Sequence, residues 1–377
     1  MWFFRSPQIV FGEDSASFIS TLDIKRAAIV TDRNLLRTDI PGRVQKALPK
    51  GAESLMVGDV SEEPPLSEMT ANLQRIRDFS PDWFVGVGGG SAIDTAKILF
   101  CLYERPDLTV YDITPLVNLG LRKRSRLMAV PTTSGTGSEC TWAAVLSVEG
   151  EKRKHELASP EVLPDYAILD PTFVVSLPLE QTRNTASDAV AHAVEAYGST
   201  WRNPFSDAMA EKALELVMDG AEGVINDPEN LELRNQVHIG ASMAGLAFSN
   251  SQIGLVHALG HAWGARFKTP HGKAVALFLP HVARFNDDAC PERYDRLNRI
   301  VPEKYRDAKL ADSLESFMGA IRQARSGKEA GVDRGAFLSS LDSLVASASE
   351  STGMVTNPKD SGSTDLRNLL LEAYGAD

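Results

Sequence analysis

Residues 83–103 read WFVGVGGGSAIDTAKILFCLY, which predicts a buried strand, a glycine turn and a helix in direct succession. Two other apolar runs, AAIVTD at 27–32 and LMAVPTT at 127–133, also predict buried strands that end in turns. Residues 67–79 show helical periodicity, and YAILD at 166–170 predicts a last strand. Strands that alternate with helices indicate a parallel sheet covered by helices.

The pattern changes in the second half of the chain, where the segments are long, alanine-rich and helix-periodic. Residues 176–184 include Pro178 and show no helix pattern before Asn184, so we expect a boundary there. A length of 377 residues also favours two domains over one core. The sequence therefore predicts an α/β, Rossmann-like domain over residues 1–177 and an all-α domain over 178–377.

The composition excludes several classes of function. With 50 acidic and 39 basic residues the net charge is −11, which is unfavourable for binding nucleic-acid phosphates. The opening residues lack the pattern of a signal peptide and no apolar run reaches about 18 residues, so no membrane partner is expected. The three cysteines, Cys101, Cys140 and Cys290, are few and widely spaced, which is typical of reduced thiols in a cytoplasmic protein.

Two loops carry the pattern of a nucleotide site. Gly88–Ser91 follow a strand and open a helix, where backbone N–H groups and the helix dipole favour a phosphate. Residues 130–140, VPTTSGTGSEC, place hydroxyls and glycines after another parallel strand, at the sheet edge where ligands bind. Neither loop has the GxGxxG spacing of an ordinary Rossmann fingerprint. Asp32 closes the first strand, either as a turn former or as an acceptor for ribose hydroxyls, which would favour NAD(H) over NADP(H).

A group of histidines and one aspartate predicts a metal site in the all-α domain. Asp188 and His192, and likewise His257 and His261, are spaced i, i+4 and so share a helical face. His271 follows on a predicted turn. Each pair alone is more often structural, but together they would bury several polar groups, and a shared cation would explain this. Imidazole and carboxylate are ligands for Fe, Zn or Ni.

The residues as a set resemble the iron-containing (group III) alcohol dehydrogenase family, which shares its architecture with dehydroquinate synthase. The resemblance runs almost end to end through motifs such as VGVGGGSAIDTAK, AVPTTSGTGSECT, ASDAVAHAVEAY, GLVHALGHAWGA and TPHGKAVALFLPHV. It implies that the metal ligands are Asp188, His192, His257 and His271, that His261 is catalytic, and that His281 lies outside the site. It implies a cofactor site at Asp32, Gly89, Gly90, Ser91, Asp94, Thr132, Thr133 and Lys154.

The resemblance implies a metal-dependent, NAD(P)-linked oxidoreductase that interconverts a small alcohol and its aldehyde or ketone by hydride transfer in a cleft between the domains. Fe²⁺ is the expected metal, with Zn²⁺ or another divalent ion as alternatives, and the chain is expected to form a homodimer or larger assembly. One rival is a metal- and NAD-using lyase similar to dehydroquinate synthase, which the lack of a dense Lys/Arg set near the ligands disfavours. A second rival is a metal- and nucleotide-binding protein without redox turnover.

Overall fold

The computed structural model describes residues 3–60, 65–147 and 154–375. By internal contacts the chain divides into two units, of which one is Arg5–Val175 and the other begins at Ser176. This division falls two residues before the boundary expected from the sequence. Phe3 and Phe4 group with the second unit, and the ring of Phe4 lies 5.5 Å from that of Phe205, centroid to centroid.

The first unit contains a parallel sheet. Its strands are β1 Gln8–Phe11, β2 Arg26–Asp32, β3 Glu53–Val60, β4 Trp83–Gly88, β5 Arg126–Pro131, β6 Ala143–Ser147, β7 Lys154–Ala158 and β8 Tyr166–Leu169. Six of them form one sheet in the order β1-β8-β5-β4-β2-β3, with every neighbouring pair parallel. The other two, β6 and β7, pair in antiparallel orientation. The helices are α1 Ile40–Lys46, α2 Leu66–Ala71, α3 Leu73–Phe79 and α4 Gly90–Glu104.

Helices cover both faces of the sheet, which explains why its central strands are apolar throughout. In β2, Ile29 packs in one cluster with Val44 of α1, whereas Val30 packs in another with Leu99 of α4. Neighbouring side chains in a strand point to opposite faces, so a strand buried on both sides needs a continuous apolar run. The predicted α/β fold with a parallel sheet is confirmed.

Two local predictions in this unit differ from the structure. The single helix expected over residues 67–79 is divided into α2 and α3, which meet at Asn72. Strand β3 was not predicted, because it lies at the edge of the sheet and several of its residues are only half-buried. An edge strand with a partly exposed face lacks the uninterrupted apolar run that identified β2 and β4.

Within its described residues, the second unit contains helices and no β-strand. Its helices are α5 Leu179–Gly198, α6 Pro204–Asn226, α7 Leu231–Ser249, α8 Leu255–Phe267, α9 His271–Asn286, α10 Pro291–Ile300, α11 Leu310–Ala320, α12 Arg334–Ser349, α13 Gly353–Thr356 and α14 Ser363–Tyr374. Helix α5 starts five residues before the predicted start at Asn184. Pro178 is compatible with this start because proline is tolerated at a helix entrance, and Glu180 suits the first turn. Within the described residues no helix combines the length and apolarity needed to cross a bilayer.

The strand order creates a switch point beside β2. The chain moves outward from β2 to β3 and then returns to place β4 on the opposite side of β2. Connections that diverge in this way leave a crevice at the carboxyl ends of the strands, where α/β proteins bind ligands. Asp32 ends β2 and Gly88 ends β4 at this point. The glycine has a φ of +151°, and a Cβ on it would lie 2.7 Å from Ala92 Cβ and 3.4 Å from Asp32 Oδ2.

We expect Gly88→Ala to destabilise the first unit by about 2–4 kcal/mol, because the added methyl group meets Ala92 and the backbone conformation disfavours a side chain. Chemical denaturation measures this loss, and nucleotide binding should weaken with it. Gly42→Ala in α1 is the matched control, since a Cβ there meets no atom within 4 Å. Equal stability of the two variants would contradict the prediction.

Candidate metal centre and nucleotide loops

Helix α5 places a buried carboxylate and a buried imidazole on the same face. Asp188 and His192 are one turn apart, and both lie in the interior of the helical unit with at most 4% of their surface exposed. His192 Nε2 is 3.8 Å from Asp188 Oδ1. The ring of His192 stacks on that of Phe248 from α7, with 4.2 Å between centroids, which restrains the orientation of the imidazole.

Helix α8 brings a second imidazole to the same carboxylate oxygen. His257 lies in the first turn of α8, and its Nε2 is 3.4 Å from Asp188 Oδ1. Its ring stacks on that of His192, with 4.5 Å between centroids. One ligand atom from each of Asp188, His192 and His257 lies within 4.8 Å of the other two. Residues that are far apart in the sequence thus converge on a single point.

His271 adds a third imidazole from helix α9. The sequence predicted this residue on a turn, but it is the first residue of α9, directly after Pro270. Proline tends to keep the residue before it extended and itself suits a helix start, so the TPHG segment turns straight into a helix. His271 Nε2 is 3.3 Å from Asp188 Oδ1. Its side chain is 36% exposed, whereas the other three groups are buried, so this side of the site faces solvent.

The spacing of these atoms suits a divalent cation. Ligand atoms about 2.1 Å from a tetrahedral ion lie about 3.4 Å from one another. The three imidazole nitrogens lie 3.3, 3.4 and 3.8 Å from Asp188 Oδ1. Both Asp188 Oδ1 and His257 Nε2 are buried and make no hydrogen bond with the described residues. Buried polar atoms without a partner are costly, and a cation between them would remove that cost.

The charges at this point are strongly coupled. Burial opposes ionisation of Asp188, yet the neighbouring imidazoles of His192 and His271 hold the pKa of its carboxyl well below the usual range. Burial alone would lower the pKa of His257, but the carboxylates of Glu195 and Asp188 outweigh it and raise that pKa to about 10. The buried carboxylates therefore favour positive charge at the point where the imidazoles meet, which is the charge that a cation would supply.

Of the two remaining candidate histidines, one borders the site and one does not. The ring centroid of His261 lies 5.1 Å from that of His271 and 5.7 Å from that of His257, and its side chain is half-buried. His281 lies further along α9, with its Nδ1 3.7 Å from the Glu372 carboxylate of α14. His261 is therefore close enough to act on whatever the site binds.

In the first unit, the two predicted nucleotide loops lie against each other. A Cβ on Gly89 would be 3.3 Å from the Thr133 methyl group, and one on Gly90 would be 3.1 Å from the Thr136 methyl group. Thr132 N–H donates to the Gly88 carbonyl. Thr133 Oγ1 is buried without a hydrogen-bond partner among the described residues, as expected of a hydroxyl that contacts a ligand. The helix α4 begins at this point, so its N-terminus faces the same loops.

Two predicted cofactor residues also have structural roles. Asp32 Oδ1 accepts hydrogen bonds from the backbone N–H groups of Asn34 and Leu35, so this carboxylate forms a turn. Asp94 accepts from the Ser138 hydroxyl through Oδ1, at 2.5 Å, and from the Val145 N–H through Oδ2, at 2.9 Å. Asp94 therefore ties α4 to the second loop. Ser91 lies in the first turn of α4. The side chain of Lys154 lies outside the described part of the chain.

Two buried charged residues were given no role from the sequence. Lys97 is completely buried in α4, and its ammonium group donates to Ser138 Oγ, Thr141 Oγ1 and the Ala143 carbonyl. Glu195, on α5, accepts hydrogen bonds at the start of α8. Glu195 is seven residues after Asp188 and three after His192, a spacing that places all three on one face. This spacing from the two predicted ligands is the sequence signal that could have identified Glu195.

The sequence shows no dense Lys/Arg set near the ligands, and folding brings together basic side chains that are distant from one another in the sequence. A cavity of about 530 Å³ in the helical unit has four cationic residues in its wall. They are Arg183, Lys273, Arg322 and Arg325. Glu180 and Glu329 line the same cavity, and Lys273 pairs with Glu180 at 2.7 Å. The basic residues are separated in sequence by as much as 142 positions, from Arg183 to Arg325, so only folding reveals the cluster.

Comparison with known proteins gives matches over nearly the whole chain. Residues 6–171 match the family model of iron-containing alcohol dehydrogenase, and residues 182–374 match the C-terminal model of the Fe-containing alcohol dehydrogenase family. An NADPH-dependent butanol dehydrogenase of Clostridium saccharobutylicum is 30% identical over 97% of this chain and 96% of its own. Aldehyde-alcohol dehydrogenase 2 of Entamoeba histolytica is 32% identical over 99% of this chain, which spans only 46% of that relative.

A solved structure agrees with these matches. The sulfoacetaldehyde reductase of Bifidobacterium kashiwanohense, determined in complex with NAD⁺, superposes with a TM-score of 0.90 at 26% identity. The superposition covers 100% of each chain. The likeness therefore extends through both units and is not confined to the sheet.

We expect Gly272→Ala to weaken metal binding. A Cβ on Gly272 would lie 2.0 Å from the backbone oxygen of Asn184, so α9 must move away from α5 and carry His271 with it. The cost in unfolding free energy should be about 1–3 kcal/mol or more. Denaturation of the metal-free protein and titration with Zn²⁺ measure the two effects. Gly319→Ala in α11, where a Cβ meets nothing within 4 Å, should leave metal affinity unchanged; identical affinities in both variants would show that the contact is irrelevant.

Proposed function

Because this chain belongs to the iron-containing alcohol dehydrogenase family, we propose that it interconverts a primary or other small alcohol and its aldehyde or ketone, using a divalent metal and NAD(P). The observation that carries the proposal is the convergence of three imidazole nitrogens within 3.3–3.8 Å of one buried carboxylate oxygen. The activity and substrate are proposals for this chain, since it spans 46% of one of its relatives.

Four side chains would hold the metal: Asp188, His192, His257 and His271. A divalent cation there, with Fe²⁺ preferred over Zn²⁺, supplies Lewis acidity to the substrate oxygen, while a nicotinamide carries the hydride. Asp188 provides the charge that the neutral imidazoles lack. Because His271 is the exposed member, a substrate would approach from its side of the site. The buried rings of His192 and His257 exclude water from the opposite side.

The first unit would bind the nucleotide through its two loops. The N–H groups of Gly89, Gly90 and Ser91 at the start of α4 suit a pyrophosphate, and Thr132 and Thr133 border it from the second loop. Asp32 would accept hydrogen bonds from the ribose diol. The relatives differ in coenzyme: one is named NADPH-dependent, and another was solved in complex with NAD⁺. The carboxylate of Asp32 favours NAD(H), because it would repel a 2′-phosphate.

His261 would carry the hydroxyl proton between the substrate and solvent. It borders His257 and His271, which makes it adjacent to the point where a substrate oxygen would bind. Its side chain is half-buried, so water reaches part of the ring. An imidazole titrates near neutral pH in its unperturbed state, which suits proton transfer in both directions. His261 is thus the proposed catalytic residue of the chain.

We also propose that the enzyme is located in the cytoplasm. Cys101, Cys140 and Cys290 are free thiols, which fits a reducing cytoplasm. Burial raises the pKa of the Cys140 thiol well above its usual value, so this group is unreactive beside the second loop. Small alcohols and aldehydes are the expected partners, and a homodimer or larger assembly stays a prediction based on the family.

The central test is reduction of aldehydes by the metal-reconstituted protein, followed by loss of NADH and NADPH absorbance. The panel should include aldehydes that carry an anionic group, because of the basic cavity around Arg183 and Lys273. We expect turnover with Fe²⁺ and none after chelation. Product formation without net change in the nicotinamide would indicate the lyase, and nucleotide binding without turnover would indicate a non-redox binding protein.

For the coenzyme, we expect Asp32→Asn to raise the use of NADPH relative to NADH by about tenfold or more, equivalent to about 1.4 kcal/mol. The carboxamide oxygen can still accept from Asn34 and Leu35, so the turn survives while the negative charge is lost. The ratio of kcat/KM for NADPH and NADH measures the effect. An unchanged ratio would assign Asp32 to the turn alone.

For the proton carrier, we expect His261→Gln to retain bound metal while turnover falls, by up to about 10²–10⁴-fold. His271→Ala is the matched comparison, since it should lose most of the metal together with activity. Elemental analysis and steady-state kinetics on both variants separate the two roles. Metal loss in His261→Gln would make His261 a ligand, and full turnover would leave it without a catalytic role.

A further inference from the structure

A buried carboxylate on α5 accepts hydrogen bonds from the first turn of α8, the helix that carries the proposed ligand His257. Glu195 is 6% exposed and lies in the last turn of α5. Its Oε1 accepts hydrogen bonds from the backbone N–H of Val256, at 2.7 Å, and of His257, at 3.2 Å. These are first-turn donors that have no partner within their own helix. A single carboxylate oxygen thus anchors the start of α8 to α5.

The second oxygen of Glu195 contacts the ligand side chain itself. Glu195 Oε2 and His257 Nδ1 form a short hydrogen bond. An ionised carboxylate only accepts, so Nδ1 carries the proton. The other ring nitrogen, Nε2, points to the Asp188 carboxylate and has no hydrogen-bond partner among the described residues. A neutral imidazole with its proton on Nδ1 has its lone pair on Nε2, where a metal would be bound.

We propose that Glu195 is a positioning residue that holds His257 in the tautomer and orientation required for metal binding through Nε2. The inference rests on the proposed ligand set and adds a group to it. Carboxylate–histidine–metal arrangements of this kind orient the ring and increase the basicity of the ligand. Glu195 also fixes the backbone at the start of α8, from which His257 extends. One carboxylate therefore sets the orientation of both the imidazole ring and the helix.

The segment before α8 is packed closely around this carboxylate. A Cβ on Gly254 would lie 3.1 Å from Glu195 Oε1, and a Cβ on Gly353 would lie 2.2 Å from the Gly254 carbonyl oxygen. Asn357 Oδ1 accepts from the Leu255 N–H at 3.4 Å. The carboxylate therefore has little freedom to turn away from His257. Loss of its charge cannot be relieved by a simple rotation of the side chain.

The test is Glu195→Gln, which keeps the size of the side chain. Whichever way the amide points, its NH₂ group faces a donor: His257 Nδ1–H in one orientation, or the first-turn N–H of Val256 in the other. We expect the affinity for Co²⁺ and Zn²⁺ to fall by about 10–100-fold. The visible absorption spectrum of the Co²⁺-loaded protein should also change, because it reports on the ligand geometry. Neither measurement needs substrate or nucleotide, so the outcome is independent of whether the alcohol dehydrogenase activity is found.

Glu104→Gln is the matched control. Glu104 is also 6% exposed and accepts from the backbone N–H groups of Lys123, Arg124 and Ser125, but it lies in the first unit and contacts no imidazole. It should lose stability and keep the wild-type metal affinity and Co²⁺ spectrum. Wild-type affinity and spectrum in Glu195→Gln would overturn the proposal and leave Glu195 as a helix anchor only.

A measurement on the unaltered protein covers the case in which Glu195→Gln does not fold. In ¹⁵N-histidine-labelled protein loaded with Zn²⁺, the His257 signals, assigned by their loss in His257→Asn, should show a proton on Nδ1 and a metal-bound Nε2. Coordination through Nδ1, or a proton on Nε2, would overturn the proposal.

Discussion

The buried carboxylate of Asp188 is the group on which the helical unit depends. An ionised carboxylate in an apolar interior is unfavourable unless positive charge or hydrogen-bond donors surround it. Here the unit directs three imidazoles to one oxygen of that carboxylate, from α5, α8 and α9. The packing between these helices must therefore satisfy an electrostatic requirement as well as bury apolar side chains. The close contact between Gly272 and Asn184 illustrates how little freedom that packing leaves.

Buried and half-buried carboxylates have a second role elsewhere, which is to fix the starts of helices and loops. Glu195 anchors the start of α8, and Asp94 joins α4 to the second nucleotide loop. Glu104 accepts hydrogen bonds from three consecutive backbone N–H groups just before β5. Each accepts hydrogen bonds from groups that the local structure leaves without partners. The residues that would touch ligands are thus positioned by charged groups that lie behind them.

The cavity lined by basic side chains is relevant to the lyase alternative. The lack of clustered Lys and Arg near the ligands disfavours a lyase with a phosphorylated, carboxylated substrate. Arg183, Lys273, Arg322 and Arg325 line a cavity together with Glu180 and Glu329, and none of the proposed metal ligands is in its wall. Family membership still favours the dehydrogenase, because both units match its models.

The sequence by itself determined what depends on local backbone geometry. A strand, a glycine turn and a helix were readable in residues 83–103, and the helical period paired Asp188 with His192 and His257 with His261. The choice among the histidines came from the family resemblance, since spacing alone left five candidates. Only the tertiary structure decided which atoms meet. The approach of Glu195 to His257, 62 positions apart, and the basic cavity arise from packing between distant helices, which no local period encodes.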